Sequence, residues 1–348
     1  MEGSGLAMRL KDLATPLWLL VLLAALELTL ELRAHRRDWE TLLLGPGPIQ
    51  RAEAAGLAGG PYGPRGDFPF WGPVHHRART PGVLRIWVAS TSHAAPMDVP
   101  KDHVFPTRME AECQRLGRPC EVLNASEPGL LVDENTATLR ALGPTWRPDV
   151  VVLYQMANDI SASSAVFLGG GAAPAEGPAE PPPGPSWVTR TTERTTTWIL
   201  IKTNLTSRLV GSRVLADGLG EAGEARYLAA VERLVAEAEA LGARPVLVTF
   251  ALSHRRAQRA AMPEAWVRYV YSFNMHLSIE GWMDTVGRLN AGLVALGERR
   301  GVPVIDLDAA VGGRPELFSD LHHFKWEGHD AVAAALTQAL LREHEVAP

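Results

Sequence analysis

Five short runs rich in Val, Ile and Leu recur along the chain, and helix-like stretches separate most of them. They are VLRIWVA at 83–89, CEVLNA at 120–125, DVVVLYQ at 149–155, RPVLVTF at 244–250 and VPVIDL at 302–307. Apolar residues occupy both faces of these runs, so each reads as a strand covered on both sides, the habit of parallel sheets. Helices are expected at 103–116, 223–241, 283–299 and 327–343. Gly117, Gly242 and Gly301 end three of them just before the next run, as helix-terminating glycines do. That alternation predicts an α/β fold, a parallel five-stranded sheet sandwiched by helices. Ligands of such sheets bind at the carboxyl ends of the strands, so the polar residues that follow each run are the candidates for chemistry.

Composition narrows the function. The 348 residues are 46% hydrophobic and 21% charged, enough for a buried core and unlike a disordered or collagen-like chain. Lys+Arg 34 against Asp+Glu 39 leaves a net charge of −5. No basic surplus exists to neutralise a phosphate backbone, so nucleic acid is not an expected partner. Two cysteines are too few for a disulfide scaffold or a cysteine zinc site; Cys113 and Cys120 either pair in an exported domain or stay as buried thiols. The chain has no GxSxG elbow, no GxxxxGK[ST] loop and no HExxH helix. Gly169-Gly170-Gly171 runs into an Ala/Pro/Glu loop rather than a helix, which argues against a dinucleotide fingerprint. His75-His76 lies in an irregular stretch and His322-His323 has one neighbouring carboxylate, Asp320, so no metal or cofactor is expected.

The amino terminus reads separately. LATPLWLLVLLAALELTL at 13–30 is about the length a membrane-spanning helix needs. After a tail at 1–12, residues 13–32 are expected to be a transmembrane anchor or an uncleaved signal; charge on the two flanks leaves its orientation open. A Gly/Pro/Arg-rich tether is expected over 33–82 and the folded domain over 83–348. FLGGGAAPAEGPAEPPPGP at 167–185 reads as a long loop. Insertions at about 161–222 and 255–282 leave the carboxyl end of the sheet and are expected to overhang the site as lids. Sequons occur at Asn124 and Asn204, the first at an expected buried strand end.

Four strand ends carry suspects. Ser90-Thr91-Ser92-His93 follows the first run, and a serine there can meet backbone N–H groups suited to a developing oxyanion. Ser and Thr are also ordinary turn and capping residues. Asn124-Ala125-Ser126 follows the second run and Asn158-Asp159 the third; an amide donates a hydrogen bond without changing protonation. After the fifth run, Asp320 precedes His323 by three residues. That spacing lets the carboxylate accept the Nδ1 proton while Nε2 points towards a serine.

Together these segments resemble the SGNH hydrolases, the GDSL esterase/lipase family. STSHAAPMDVPKDHVFPTRME at 90–110 is similar to its first block, EVLNASEPG at 121–129 to its second, VVLYQMANDI at 151–160 to its third and SDLHHFKWEGHDAVA at 319–333 to its fifth. The family's Gly-Asp is replaced by Ser90-Thr91, and its second-block Gly by Ser126. The resemblance implies a three-layer, flavodoxin-like α/β/α domain. It further implies Ser92 as nucleophile, His323 as base and Asp320 as its orienting acid. The oxyanion hole would comprise the N–H groups of Ser92 and Ser126 and the Asn158 amide. His93, His322 and Asp159 are candidates to line the pocket. Acyl esters of a glycan or lipid are the implied substrates, O-acetyl groups among them. An O-acyltransferase using the same triad and a non-catalytic glycan-binding module are the rivals. Family habit and the apolar segment put the domain on a membrane, outside the cytoplasm.

Overall fold

The five apolar runs do form one sheet. In the computed structural model, which describes residues 18–19, 21–29, 69–96, 99–169, 205, 210 and 215–346, Leu84–Ser90 (β1) is flanked by Cys120–Asn124 (β2) and Val150–Tyr154 (β3). Arg244–Val248 (β4) follows β3, and Val304–Ile305 (β5) closes the order β2-β1-β3-β4-β5. All four pairings are parallel. Every residue of β3 is buried, so both faces of the sheet are covered. β5 is shorter than its run because Asp306 turns the chain, its carboxylate accepting the Ala309 N–H at 3.0 Å to cap Leu307–Val311 (α7).

Two groups of helices provide the cover. Phe105–Arg115 (α1) packs on Trp326–Val346 (α8), while Val132–Trp146 (α2), Ala157–Phe167 (α3) and Ile279–Arg300 (α6) pack on Gly220–Ala240 (α4). The helices α2 and α3 carry no sequence signal strong enough to have been expected. α2 contains Pro144 within its last turn, and α3 is rich in Ser, so propensity is weak where tertiary packing decides. In α6, which starts before the expected 283, Ser278 Oγ accepts the Gly281 N–H at 2.9 Å, and Gly301 ends the helix at φ 65°, the glycine stop expected from the sequence. The insertion at 255–282 forms a 3-10 turn (Arg256–Ala261), a helix at Glu264–Phe273 (α5) and the start of α6. Of the 161–222 insertion, residues 170–204, 206–209 and 211–214 lie outside the described residues, as do most of the expected 167–185 loop and part of the first block, Met97 and Asp98.

The ordered domain starts before Val83. Phe70, expected in the tether, packs edge-on against Trp87 at 5.1 Å and Trp146 at 5.0 Å. Trp71 bridges to β2, its N–H donating to the Asn124 carbonyl at 3.1 Å. The cause is Arg85, a fully buried cation within β1. Its guanidinium donates to Glu121 at 2.7 Å and to the carbonyls of His76, Arg77, Ala78 and Trp146, so the preceding segment is pinned as the charge's solvation shell. Arg85→Met is expected to cost about 3–5 kcal/mol, because it strands the Glu121 charge and several carbonyls; a urea midpoint measures it.

A second buried group links α1 to α8. His329 Nδ1 accepts the Phe105 N–H at 3.1 Å. Burial first, then the nearby His323 and His103 rings, hold its pKa down to about 3. The folded value lies below the ordinary 6.5, so this group's contribution is present above 6.5 and lost as pH falls towards 3. His329→Asn keeps an acceptor near Nδ1 but cannot titrate. Urea melts should show a stability slope between those pH values shallower by about 1.4 kcal/mol per pH unit.

Cys113 and Cys120 form a disulfide, with Cα atoms 5.9 Å apart, joining α1 to β2. Contacts divide the chain into two units, one holding the helical residues 18–19 and 21–29, the other the α/β domain. The expected anchor at 13–32 is thus described only in part; residues 13–17, 20 and 30–32 lie outside. Among the described residues no helix is long and apolar enough to cross a membrane.

Candidate active site

β1 and the loop before α8 deliver the two halves of the site. Ser90 ends β1 with its Oγ donating to the Tyr154 carbonyl at 2.5 Å, and the Thr91 carbonyl then accepts the N–H groups of Ala94 and Ala95, each at 3.1 Å. That tight turn leaves Ser92 half-buried between the fully buried Thr91 and His93. The opposite loop is wound around Asp320. One carboxylate oxygen accepts the backbone N–H groups of His322 at 2.8 Å and His323 at 2.9 Å. The other is 2.8 Å from His323 Nδ1. His323 Nε2 in turn lies 2.8 Å from Ser92 Oγ, across 231 positions of sequence.

This order fixes the protons. An ionised carboxylate only accepts, so Nδ1 of His323 carries the hydrogen and Nε2 offers its lone pair to the Ser92 hydroxyl. Burial by itself would raise the Asp320 pKa. The His323 and His322 rings and the hydrogen bonds from His323 outweigh it and hold the carboxyl well below the usual range. The arrangement can therefore remove a proton from Ser92 and stabilise the imidazolium that results.

The other expected residues fall into three places. Asn158, at the start of α3, donates one amide hydrogen to the Leu130 carbonyl at 3.1 Å, which sets the amide's orientation. Ser126 is fully buried, and its N–H, expected to serve an oxyanion, donates to Asn124 Oδ1 at 3.2 Å. Its carbonyl is held by Trp71 Nε1 at 2.7 Å, so the segment read as a tether shapes this loop. The Asn124 sequon is closed, its side chain buried and donating to the Ala94 carbonyl. Asp159 does not open to solvent: it accepts the Val132 N–H at 3.1 Å and Gln155 Nε2 at 2.7 Å. Burial pushes its pKa up to about 7 against those hydrogen bonds.

His93 and His322 are buried, and their rings pack against the ring of His323. The His93 ring stacks on His323 at 4.9 Å and 12°, and the His322 ring is 4.2 Å from it. These three rings place nitrogen atoms close enough to suggest a metal site. Five of their six ring nitrogens are already engaged, however, by Thr91, by each other, by Asp320 and by Ser92, and among the described residues His322 Nε2 alone lacks a partner. The donor set is wired for hydrogen bonding.

Sequence reasoning missed Gln155 and Asn135. Gln155 Nε2 donates to the Leu130 carbonyl at 2.7 Å, the same oxygen that orients Asn158, and its Oε1 accepts from Asn135, which also donates to the Ser90 carbonyl at 3.1 Å. The available signal was a Gln closing a strand otherwise buried on both faces. From the second insertion, α5 brings Tyr269 to 6.3 Å from the His323 ring and Phe273 to 5.6 Å from His322.

No protein-family model and no curated protein matches the chain. Among solved structures it is similar to an acetyl xylan esterase (12% identity, 74% of this chain and 100% of that one, TM-score 0.46). It is also similar to a member of the G-D-S-L lipolytic family from Veillonella parvula (12%, 75% and 100%, 0.44). A third is a lipase/acylhydrolase from Enterococcus faecalis (16%, 75% and 97%, 0.42). At such identities and TM-scores the likeness carries no argument about chemistry, which rests on the geometry above.

Proposed function

We propose that the chain is a serine ester hydrolase that removes acyl groups, O-acetyl among them, from a glycan or lipid. The observation that carries this reading is the unbroken line from Ser92 Oγ through the His323 ring to Asp320, with 2.8 Å at each junction. Ser92 Oγ bonds to the ester carbonyl carbon as His323 Nε2 takes its proton. His323 then gives that proton to the departing alcohol, leaving an acyl-enzyme that water hydrolyses by the same exchange. The Ser92 N–H and the second amide hydrogen of Asn158 are the donors assigned to the oxyanion. Ser126 joins them only by releasing Asn124.

Purified protein given p-nitrophenyl acetate tests the reaction. Asn158→Ala should lower kcat by about 10²–10³-fold with KM little changed, since the donor acts on charge that develops in the transition state. Product analysis with an acetylated glycan and a free glycan acceptor separates hydrolysis from acyl transfer. Absence of turnover in folded protein favours a binding module instead.

The same proposal places the domain outside the cytoplasm on a membrane. Exposed Trp18, Leu19, Val21, Leu22 and Leu23 on helical residues support an anchor. The Cys113–Cys120 bond supports an oxidising compartment.

A further inference from the structure

Hydrogen bonds between described residues tie the Ser92 turn to the Asp320–His323 loop. Besides Ser92–His323, His93 Nε2 lies 2.9 Å from His322 Nδ1. Both rings are buried, and each is held from behind. Thr91 Oγ1 is 3.0 Å from His93 Nδ1, and His93 sits edge-on to Phe250 at 4.9 Å and to Tyr154 at 5.7 Å. Trp282 and Phe273 flank His322, each at 5.6 Å. An N···N hydrogen bond needs a hydrogen on one ring and a lone pair on the other. Burial, followed by repulsion from the neighbouring imidazoles, lowers the pKa of both, and that of His322 falls to about 3. The pair therefore stays neutral and bonded where the esterase would work.

The two bonds have different fates in the reaction proposed above, on which this inference rests. Once Ser92 is acylated its Oγ has no hydrogen to donate, and the Ser92–His323 bond is gone for the second half of the cycle. In that half, a water oxygen bonds to the acyl carbon and its proton passes to His323 Nε2. The bond from carbon to Ser92 Oγ then breaks as His323 returns the proton to that oxygen. We propose that the His93–His322 bond is a strut, a pair of positioning residues that keeps His323 in register with the acyl-enzyme while the serine cannot. Its effect should fall on deacylation more than on acylation.

Stopped-flow kinetics with p-nitrophenyl acetate read the two steps apart, acylation as the burst and deacylation as the steady state. His93→Phe keeps the ring packing and removes Nε2. Deacylation should fall on the order of 10²-fold, the cost of a misplaced reacting group, while acylation falls much less and the burst grows towards one nitrophenol per enzyme. His93→Gln, whose amide reaches the Nε2 position, should restore most of the loss, as should His322→Asn relative to His322→Leu should the phenylalanine variant not fold. The His93→Phe/His322→Phe pair should be no slower than either single variant. Equal slowing of both steps, no slowing, or no rescue by the amides overturns the strut. A wild-type protein with neither a burst nor a fluorophosphonate adduct on Ser92 overturns the hydrolase reading itself, a separate outcome.

Discussion

Ser92→Ala is expected to lower acyl-ester hydrolysis by roughly 10⁶-fold, the scale of losing a nucleophile that acts as a unit with its base, while thermal stability stays close to wild type. Ser92 lies in a turn whose backbone is held by the Thr91 carbonyl and by Ser90 on Tyr154, and none of those bonds involves the Ser92 hydroxyl. That hydroxyl's partner is His323 Nε2, and Ser92 itself is only half-buried, so water can replace the hydroxyl beside the ring. Initial rates on p-nitrophenyl acetate, read beside a melting curve, check both halves of the statement. A large fall in melting temperature or a surviving rate contradicts it.

Asp320→Asn is the second large effect, a loss of about 10⁴-fold in kcat, with the loop intact. The carboxylate has two jobs. One oxygen accepts the backbone N–H groups of His322 and His323, and the other accepts His323 Nδ1–H. An asparagine can keep the first job with its carbonyl oxygen, which leaves its NH₂ facing Nδ1. His323 must then carry its hydrogen on Nε2, where it has no lone pair for the Ser92 proton. Asp320→Ala removes both jobs and should cost stability as well, because two buried N–H groups lose their acceptor. Comparing the two variants in urea and in turnover separates tautomer from scaffold.

How much of this was legible in the sequence follows from which forces act locally. The sheet was legible because β1 to β4 are buried on both faces and their composition shows it; β5 was overdrawn because Asp306 caps a helix where the apolar run continues. α2 and α3 were not legible, being held by contacts with α4 rather than by their own propensity. The start of the domain is not legible for a related reason. Residues 69–82 look irregular, and only the burial of Arg85, with carbonyls gathered around it, reveals that they belong to the fold. For the site, the Asp320-to-His323 spacing carried real information, because three residues let one carboxylate serve two backbone N–H groups and a ring. Motif similarity assigns the Ser126 N–H to the oxyanion hole, and motif similarity does not show that this N–H donates to the Asn124 side chain, two residues earlier. The His93–His322 bond joins residues 229 positions apart, and no local pattern announces such a pair.

The central claim is that Ser92 is a nucleophile activated by His323. Treating the folded protein with a fluorophosphonate, digesting it and locating the adduct by mass spectrometry tests that claim most directly. The account predicts a single adduct on Ser92, absent from Ser92→Ala and strongly slowed in His323→Ala. An adduct on another residue, or none on folded wild-type protein, contradicts it.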